Sequence, residues 1–338
     1  MSQPAISTTP GKQDHAACSG CSLCLLVCPV WRRTRDLRLT PHGRAKALQH
    51  GATIADIAPS VAACTLCGAC EPVCPENIGL VDMLLNLRRA LPPTDISRNI
   101  SVCMQTERPR YLATRAATAT TLLAEPTVLH WPALLALVAR VLGGDRKVAV
   151  EADNGADISL ALEIGAAIAP QRLERFLAPL RLRDTVVVTD GLLLRALRAW
   201  LPDTRFTGLG IALSSLRVVR QRLRADDCYV IEPRAYHADQ AHLAAHYDDL
   251  RAETGCTMNL DLQRIAIPAS GNNLLQRIGQ QDAEFDEPVN WLLKGRRVSR
   301  IVVESVDDML AFMKASTIPV VHVAELVGAD TRPPVEAT

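Results

Sequence analysis

The 338-residue sequence has few aromatic residues, almost no net charge and no long apolar run. Phe, Trp and Tyr make up 4% of the chain, too few for the stacking platforms that bind single-stranded nucleic acid. The formal charge of +1 gives no electrostatic argument for nucleic acid binding either. The most apolar run, residues 129–142, is too short to cross a membrane and contains Pro132 and Arg140. We therefore expect no nucleic acid partner and no transmembrane segment.

The apolar run at residues 129–142 is interpreted as a buried helix with Pro132 in its first turn. The alternative is a helix that lies on a membrane or on a partner subunit. A secretory signal is missing as well, since residues 1–7 contain no basic region followed by an apolar core. We therefore expect a cytoplasmic protein, with peripheral attachment to the cytoplasmic membrane face through its partners as the alternative.

Cysteine, by contrast, is abundant and very unevenly distributed. Eight of the 11 cysteines lie between Cys18 and Cys74, in two segments that both read C-x2-C-x2-C-x3-C-P. The two-residue gaps let a tight loop wrap three thiolates around one face of a cubane, and small residues such as Gly20 and Gly68 leave room for it. Backbone N–H groups in such a loop stabilise the negative charge of the cluster. The pattern therefore predicts two [4Fe–4S] clusters.

The fourth cysteine of each motif is expected to bind the cluster of the other motif, as in two-cluster ferredoxins. The predicted ligands of the first cluster, called cluster 1, are Cys18, Cys21, Cys24 and Cys74. Those of the second, called cluster 2, are Cys64, Cys67, Cys70 and Cys28. Zinc sites rarely have the third cysteine or the following proline, and disulfides need an oxidising compartment. Both alternatives are therefore disfavoured.

The rest of the chain divides into regions of different composition. Residues 1–15 and 329–338 are expected to be tails, and residues 16–92 form the cysteine-rich helical unit. Residues 93–145 are predicted to be a connector with helical segments. In residues 146–328, β-branched runs alternate with amphipathic helical stretches, which is typical of a mainly parallel sheet. The predicted fold class is α+β multidomain, with an all-α dicluster ferredoxin-like domain followed by an α/β domain.

Six β-branched runs are predicted as strands: residues 148–150, 185–189, 229–231, 265–267, 301–303 and 320–323. Acidic residues follow four of these runs, namely Glu151 with Asp153, Asp190, Glu232 and Glu304. The carboxyl ends of parallel strands are the usual place for ligands, so a metal or a sugar is one interpretation. Helix caps and first-turn carboxylates explain the same residues, and this interpretation is favoured.

Two features close to the clusters are open to interpretation. The basic segment at residues 31–38 either offsets the anionic clusters and docks an acidic partner or forms a solvated helix face, which is the plainer explanation. His242 and His246 lie one helical turn apart and close to His237, but a polar helix face is favoured over a metal site. Six apolar residues are expected to exclude water from the clusters: Leu23, Leu25, Leu26, Val27, Leu66 and Val73.

The twin motif, the separation of its halves and residues 40–48 resemble the helical dicluster domain of glycolate oxidase iron–sulfur subunits. Lactate-utilisation iron–sulfur proteins and the small iron–sulfur subunit of heterodisulfide reductase share that domain, and residues 74–80 are similar to it too. The resemblance implies a helical ferredoxin that relays electrons between a flavin-bearing dehydrogenase and a further acceptor.

The second half of the chain resembles the cysteine-rich (CCG) domains that follow the dicluster domain in those proteins. Residues 229–237 are similar to a strand that ends in Asp-Pro-Cys-His, and residues 318–327 to the closing strand and helix. Arg234 stands at the expected cysteine, however, and residues 267–271 read Ile-Pro-Ala-Ser-Gly where Cys-Cys-Gly is expected. The resemblance therefore implies a CCG-like domain that has lost its cluster ligands. The remaining cysteines are interpreted as buried thiols: Cys103, Cys228 and Cys256.

Three functions follow from these observations. The leading hypothesis is an electron-transfer subunit without catalytic residues, in a hetero-oligomeric complex with a flavoprotein dehydrogenase or another redox subunit. The first alternative is a catalytic subunit of a heterodisulfide- or hydroxyacid-type oxidoreductase, which the missing cysteines and the absence of a glycine-rich phosphate loop disfavour. The second alternative is a redox-sensing or assembly protein, although sensors more often hold one exposed cluster.

Overall fold

The computed structural model describes residues 11–91, 120–144, 148–261, 264–271, 273–277, 282 and 284–328. The predicted tail at 329–338, most of the predicted tail at 1–15 and Cys103 lie outside these residues. Within the described chain, helices and parallel sheets are both present, which agrees with a mixed α+β architecture.

The named elements of residues 11–91 are helical, apart from one isolated bridge between Gln13 and Ile78. The α-helices of this part are α1 (Leu23–Leu26), α2 (Pro29–Thr34), α3 (Pro41–Gln49), α4 (Ala58–Ala63) and α5 (Leu80–Ala90), with short 3₁₀ turns at His15–Ala17 and Leu37–Leu39. Pro29 and Pro41 begin α2 and α3, where a missing N–H costs little. The Thr40 hydroxyl accepts a hydrogen bond from the Gly43 N–H at 3.1 Å and caps α3.

A four-stranded parallel sheet follows. Its strands are β1 (Thr120–Leu123), β2 (Ala149–Val150), β3 (Thr185–Val188) and β4 (Arg205–Gly208), in the order β2-β1-β3-β4. Strand β1 lies inside residues 93–145, the predicted connector with helical segments, and no strand was predicted there. Two threonines make up half of β1, and they carry β-propensity without the apolar character that marks the other strands. Strand β4 was not predicted either.

A second parallel sheet has the strands β5 (Asp227–Val230), β6 (Thr257–Met258), β9 (Arg300–Val303) and β10 (Val320–His322), in the order β10-β9-β5-β6. Strands β7 (Leu260–Asp261) and β8 (Ile265–Ala266) form a separate antiparallel pair. The predicted strand at 265–267 is therefore present, but it lies outside the parallel sheets. The predicted strands in the parallel sheets are confirmed within two residues at either end.

The two sheets repeat one connectivity. In each, the first strand in the chain pairs with the second and the third, and the fourth strand is added beside the third. The backbone N–H of Glu125, just after β1, donates to Thr189 Oγ1 at 2.8 Å. The N–H of Glu232, just after β5, donates to Glu304 Oε2 at the same distance. A Glu-Pro pair begins the next helix in both halves, so the fold contains an internal duplication that the sequence analysis missed.

Helices connect and cover the strands. In the chain from residue 120 onward they are α6 (Pro126–Leu129), α7 (Pro132–Gly143), α8 (Ala156–Ile164), α9 (Pro170–Leu180), α10 (Gly191–Trp200), α11 (Leu209–Ser214), α12 (Arg217–Arg220), α13 (Pro233–His237), α14 (Gln240–Thr254), α15 (Leu274–Arg277), α16 (Asp286–Leu293), α17 (Val306–Ala315) and α18 (Glu325–Gly328). Helix α7 begins at Pro132 and buries Leu135 and Val138, which confirms the predicted buried helix. No helix of the described chain is both long and apolar enough to cross a membrane.

Three apolar layers hold these elements together. One layer lies between the two sheets and joins Leu122 of β1 to Val302 of β9. A second layer packs the other face of the first sheet, with Val186, against Leu85 of α5. A third covers the outer face of the second sheet and includes Phe312. The helical cysteine-rich unit and the first sheet therefore share one core, and we expect them to unfold together.

We predict that Leu85→Ala lowers the free energy of unfolding by about 2–5 kcal/mol, because it removes a side chain that is 3% exposed from the shared core. Denaturant titration followed by circular dichroism measures this change. Leu182→Ala is the control: this leucine is 86% exposed, and its loss should change stability by less than about 0.5 kcal/mol. Equal effects of the two substitutions would contradict the shared core.

Candidate metal centre

The two cysteine loops have the same backbone conformation although their sequences differ. Gly20 and Leu66 occupy equivalent positions and have φ of 84° and 57°. Ser22 and Gly68, two residues later, have φ of 66° and 76°. Left-handed residues between right-handed or extended ones turn successive N–H groups toward one side, which makes an anion-binding concavity. The C-x2-C-x2-C spacing thus forms two loops suited to a negatively charged group.

The predicted ligands of cluster 1 are electrostatic neighbours. Burial raises the pKa of the Cys24 thiol to about 12, and Cys21, Cys18 and Cys74 raise it further in that order. Three of the four cysteines are half-buried, whereas Cys21 is exposed. Cys74 belongs to the other motif, so the two motifs meet at this group.

The predicted ligands of cluster 2 line one cavity together. Burial raises the pKa of the Cys28 thiol to about 12, with Cys67 and Cys64 adding to the shift. The cavity is lined by all four predicted cysteines, namely Cys28, Cys64, Cys67 and Cys70. Leu66, Val81 and Leu84 close it with apolar surface. Thiols with so high a pKa hold their protons until a metal displaces them, so iron binding here releases protons.

A single metal ion does not explain this grouping. Within the described residues, no three Cys, His, Asp or Glu side chains stand close enough together to hold one ion. A zinc ion keeps each sulfur at about 2.3 Å and so draws its ligands tightly together. In a cubane, each thiolate binds a different iron, and the sulfurs stand farther apart. The two groups of cysteines therefore fit [4Fe–4S] clusters.

Buried arginines also fit an anionic group at cluster 2. Against the larger effect of burial, the positive charge of Arg44 lowers the pKa of Cys28, and the charge of Cys64 raises the pKa of Arg88. The Nε atoms of both arginines are buried without a hydrogen-bond partner in the part of the chain that the structure describes. Buried positive groups are costly unless a negative charge stands near them. A four-iron cluster with four thiolate ligands carries net negative charge and meets this requirement.

Side chains from outside the two motifs hold the loop of Cys64 and Cys67. Arg88 Nη2 donates to the Cys64 carbonyl at 2.7 Å, and Arg234 Nη2 donates to the Thr65 carbonyl at 2.8 Å. His237 Nδ1 lies 2.6 Å from the Cys67 carbonyl. The carbonyl groups of Cys64, Thr65 and Cys67 therefore fix the loop to α5 and to the α/β half.

His237 is neutral and has a defined tautomer. Its Nε2 accepts a hydrogen bond from the Ala266 N–H at 3.1 Å, so the ring proton is on Nδ1 and is donated to Cys67. Burial lowers the pKa of His237 to about 4. For His242 and His246 the sequence favours a polar helix face over a metal site; exposed His242 contacts Asp239 at 2.5 Å, and His246 contacts Ser214 at 2.8 Å.

The residues at the expected CCG cysteine positions meet at one polar cavity beside cluster 2. Arg234 lines it together with Pro268, Ser270 and Gly271, and Cys67 forms part of its wall. Its volume is about 70 Å³. Pockets for organic ligands usually measure about 300–1,000 Å³, whereas a few water molecules fit into the volume found here. Cys228 and Cys256 lie elsewhere, fully buried in apolar layers, as the sequence analysis predicts.

The acidic residues after the strands have different roles. Asp190 caps α10 and Glu232 caps α13, each accepting two backbone N–H groups, which confirms the capping interpretation. For Glu304 that interpretation is wrong, because Ser305 caps the next helix instead. Two further acids form ion pairs: Glu151 with Arg183, and Asp153 with Arg172.

Glu304 is a buried junction between the strands. Its Oε1 accepts from the hydroxyls of Tyr229 and Tyr247 at 2.8 Å each, and its Oε2 accepts from the Glu232 N–H. Burial raises the pKa of Glu304 to about 7 in spite of these donors, and nearby Asp308 raises it as well. Burial also raises the pKa of Glu232 to about 7.

The surface at cluster 1 is partly apolar. The cluster 1 face consists of Cys21, Leu23 and Leu26, of which the two leucines are 40% and 55% exposed. The expectation that these leucines exclude water is wrong, because α1 has only four residues and buries none of them. Val27 and Leu66 are buried as expected.

The basic segment at residues 31–38 is more than a solvated helix face. Arg32 Nη2 lies 3.2 Å from Asp261 Oδ2, and its guanidinium stacks 4.5 Å above the ring of Trp291. Arg32 therefore links the cysteine-rich unit to the second sheet region. Arg38, in contrast, is almost fully exposed and pairs with Asp36.

A family model described as a 4Fe-4S dicluster domain matches residues 14–78. The match spans both cysteine motifs, which establishes an iron–sulfur protein with a domain of this type. No curated protein and no solved structure matches the chain. The narrower resemblance to glycolate oxidase, lactate-utilisation and heterodisulfide reductase subunits stays a prediction.

We predict that Glu304 makes the protein less stable as the pH rises from about 4.5 to about 7. Between these pH values the Glu304 carboxyl keeps its proton in the folded protein but loses it in the unfolded chain. The contribution of Glu304 to the free energy of unfolding is therefore complete below pH 4.5 and is lost as the pH rises to about 7. The effect is about 1.4 kcal/mol for each unit by which the two pKa values differ.

Denaturant unfolding at several pH values tests this prediction on the natural chain and on Glu304→Gln. The difference between the two isolates Glu304 from buried histidines such as His322, whose lowered pKa of about 4 acts in the opposite direction. If the difference does not change between pH 4.5 and pH 7, Glu304 is ionised throughout and the prediction is wrong.

Proposed function

We propose that this chain is an electron-transfer subunit that relays single electrons through two [4Fe–4S] clusters. The dicluster family match supports iron–sulfur electron transfer. The observation that carries the two-cluster assignment is the grouping of the cysteines, since each group joins three cysteines of one motif to the fourth of the other. When bound, each cluster stores and releases one electron.

The residues of the chain hold these groups in different surroundings. Cys21 at the surface allows a partner to approach cluster 1 closely, whereas Leu66, Val81 and Leu84 keep water from cluster 2. The two sites are adjacent, because, beyond the larger effect of burial, the charge of Cys24 in one group raises the pKa of Cys70 in the other. This closeness supports electron exchange between them.

The proposed partner is a redox protein with an acidic surface, such as a flavoprotein dehydrogenase, in a cytoplasmic hetero-oligomeric complex. Residues 11–50 contain seven Lys or Arg but only two Asp and no Glu. Lys46 of this segment donates to the Cys18 carbonyl next to the cluster 1 face, and complementary charges speed the encounter of electron-transfer partners. The exposed Leu23 and Leu26 supply apolar area at the centre of the contact.

A catalytic subunit is the second candidate, and the polar cavity beside Cys67 is the observation in its favour. A substrate bound there would lie next to cluster 2. The cavity of about 70 Å³ is too small for a heterodisulfide or a hydroxy acid without rearrangement, which favours the relay. Oxidation of hydroxy acids by the isolated chain with an artificial electron acceptor would support this second candidate.

We predict that anaerobically prepared protein contains about eight irons per chain and shows broad visible absorbance that dithionite bleaches. Cys28→Ser should perturb the electron paramagnetic resonance (EPR) signal of the buried cluster, and Cys74→Ser that of the exposed one, because each cysteine crosses to the other motif. Cys256→Ala is the control and should leave both signals unchanged, since Cys256 is buried in the apolar core. Protein that contains only zinc would overturn the proposed function.

We also predict that Leu26→Glu slows the reduction of the clusters by a small acidic flavodoxin at least tenfold, because a carboxylate replaces apolar contact area and repels the donor. Stopped-flow absorbance measures the rate, and high salt should slow the natural chain as well. Leu182→Glu is the matched control on a distant exposed leucine. Dithionite needs no docking, so it should reduce the natural chain and Leu26→Glu at the same rate. Unequal rates with dithionite would show instead that the substitution damages the cluster.

A further inference from the structure

We propose that Arg44 and Arg88 raise the midpoint potential of cluster 2 above that of cluster 1, so that cluster 2 is reduced first. This inference rests on the proposed function, because it assumes that both clusters are bound. It assigns a redox role to two residues that lie outside the cysteine motifs. This role depends on the burial of the two guanidinium groups and on the kind of partners that they have.

Among the residues that the structure describes, Arg44 is a buried cation without a carboxylate partner. Its side chain is on α3, and the residue is 2% exposed. Its Nη1 donates to the carbonyl of Leu39 at 3.2 Å, and to the carbonyl and hydroxyl of Ser60 at 2.9 and 3.1 Å. These neutral acceptors orient the guanidinium but do not cancel its charge.

Arg88, on α5, is a second buried cation with neutral acceptors among the described residues. It is 3% exposed, and it donates only to carbonyls of the described chain, those of Glu163, Cys64 and Val61. The carbonyl of Cys64 belongs to a predicted ligand of cluster 2, so the positive charge stands directly beside this site. An arginine keeps its charge even when buried.

Arg234 makes a useful contrast, because it contacts the same loop but is neutralised. Its Nη2 pairs with Glu163 Oε1 at 2.8 Å, and the carboxylate is itself buried. A paired guanidinium contributes little net charge at a distance. We therefore assign the effect on cluster 2 to Arg44 and Arg88 and only a holding role to Arg234.

Cluster 1 has weaker positive surroundings. Lys46 Nζ donates to the Cys18 carbonyl at 2.8 Å, but Lys46 is only half-buried and Cys21 is open to solvent. The groups that raise the pKa of Cys24, apart from burial, are all cysteines. Water and salt weaken a single charge at such a position much more than they weaken charges in the interior.

Burial acts in the opposite direction and must be weighed. Reduction adds one negative charge to a cluster, and a water-poor site penalises that charge. The same low dielectric strengthens the attraction of both buried guanidinium groups for the added electron. The two buried positive charges oppose this penalty, and the proposed order of reduction requires that they exceed it.

A redox titration of the holoprotein followed by EPR tests this inference. Arg44→Gln and Arg88→Gln should each lower the ratio of reduced to oxidised cluster 2 about tenfold at a fixed potential, which corresponds to about 59 mV for one electron. Cluster 1 should shift less than threefold. Arg44→Lys and Arg88→Lys, which keep the charge and lose the planar fork, should restore most of the ratio.

Two controls separate electrostatics from damage to the fold. Arg172→Gln removes an arginine that pairs with Asp153 and Asp157 away from the cysteine loops, and should shift neither cluster. The signals are assigned with the Cys28→Ser and Cys74→Ser variants. Equal shifts of both clusters, no shift, or the same loss in the Lys and Gln variants would overturn the inference. Absence of two cluster signals from the natural chain would instead overturn the proposed function.

Discussion

The structure depends on how the loop of Cys64–Cys67 is held by groups that the motif does not contain. A cysteine loop binds an anionic cluster only if its backbone keeps a partly left-handed conformation that turns its N–H groups toward the cluster. In this loop Leu66 has a φ of 57°. Arg88, Arg234 and His237 fix the carbonyl groups of this loop from two directions. Their contacts join the helical unit to the α/β half, so the redox site and the fold stabilise one another.

These contacts give the α/β half a structural role at the cysteine loop. Arg234 of this half forms an ion pair with Glu163 and donates to the carbonyl of Thr65, so it supports the cysteine loop. The strand order and the Glu-Pro helix start are repeated in the two sheets, and residues of the second repeat hold the cysteine loop.

Features that depend on short stretches of sequence were predictable, and features that depend on distant contacts were not. The C-x2-C-x2-C-x3-C-P spacing is local, so it is enough to predict an iron–sulfur domain, which the family match supports. Apolar runs such as residues 301–303 predict strands, whereas Thr120–Leu123 does not look like one because its first half is polar. Arg44 and Arg88 were missed because a helical arginine looks solvated until its neighbours are known.

The proposed function requires two [4Fe–4S] clusters side by side in one chain, one at the surface and one in the interior. The EPR spectrum of the fully reduced protein at low temperature is the decisive measurement. Because Cys24 and Cys70 of the two groups are electrostatic neighbours, we expect two unpaired spins per chain whose signals are broadened and split by their mutual interaction. A single sharp signal that integrates to one spin per chain would contradict it.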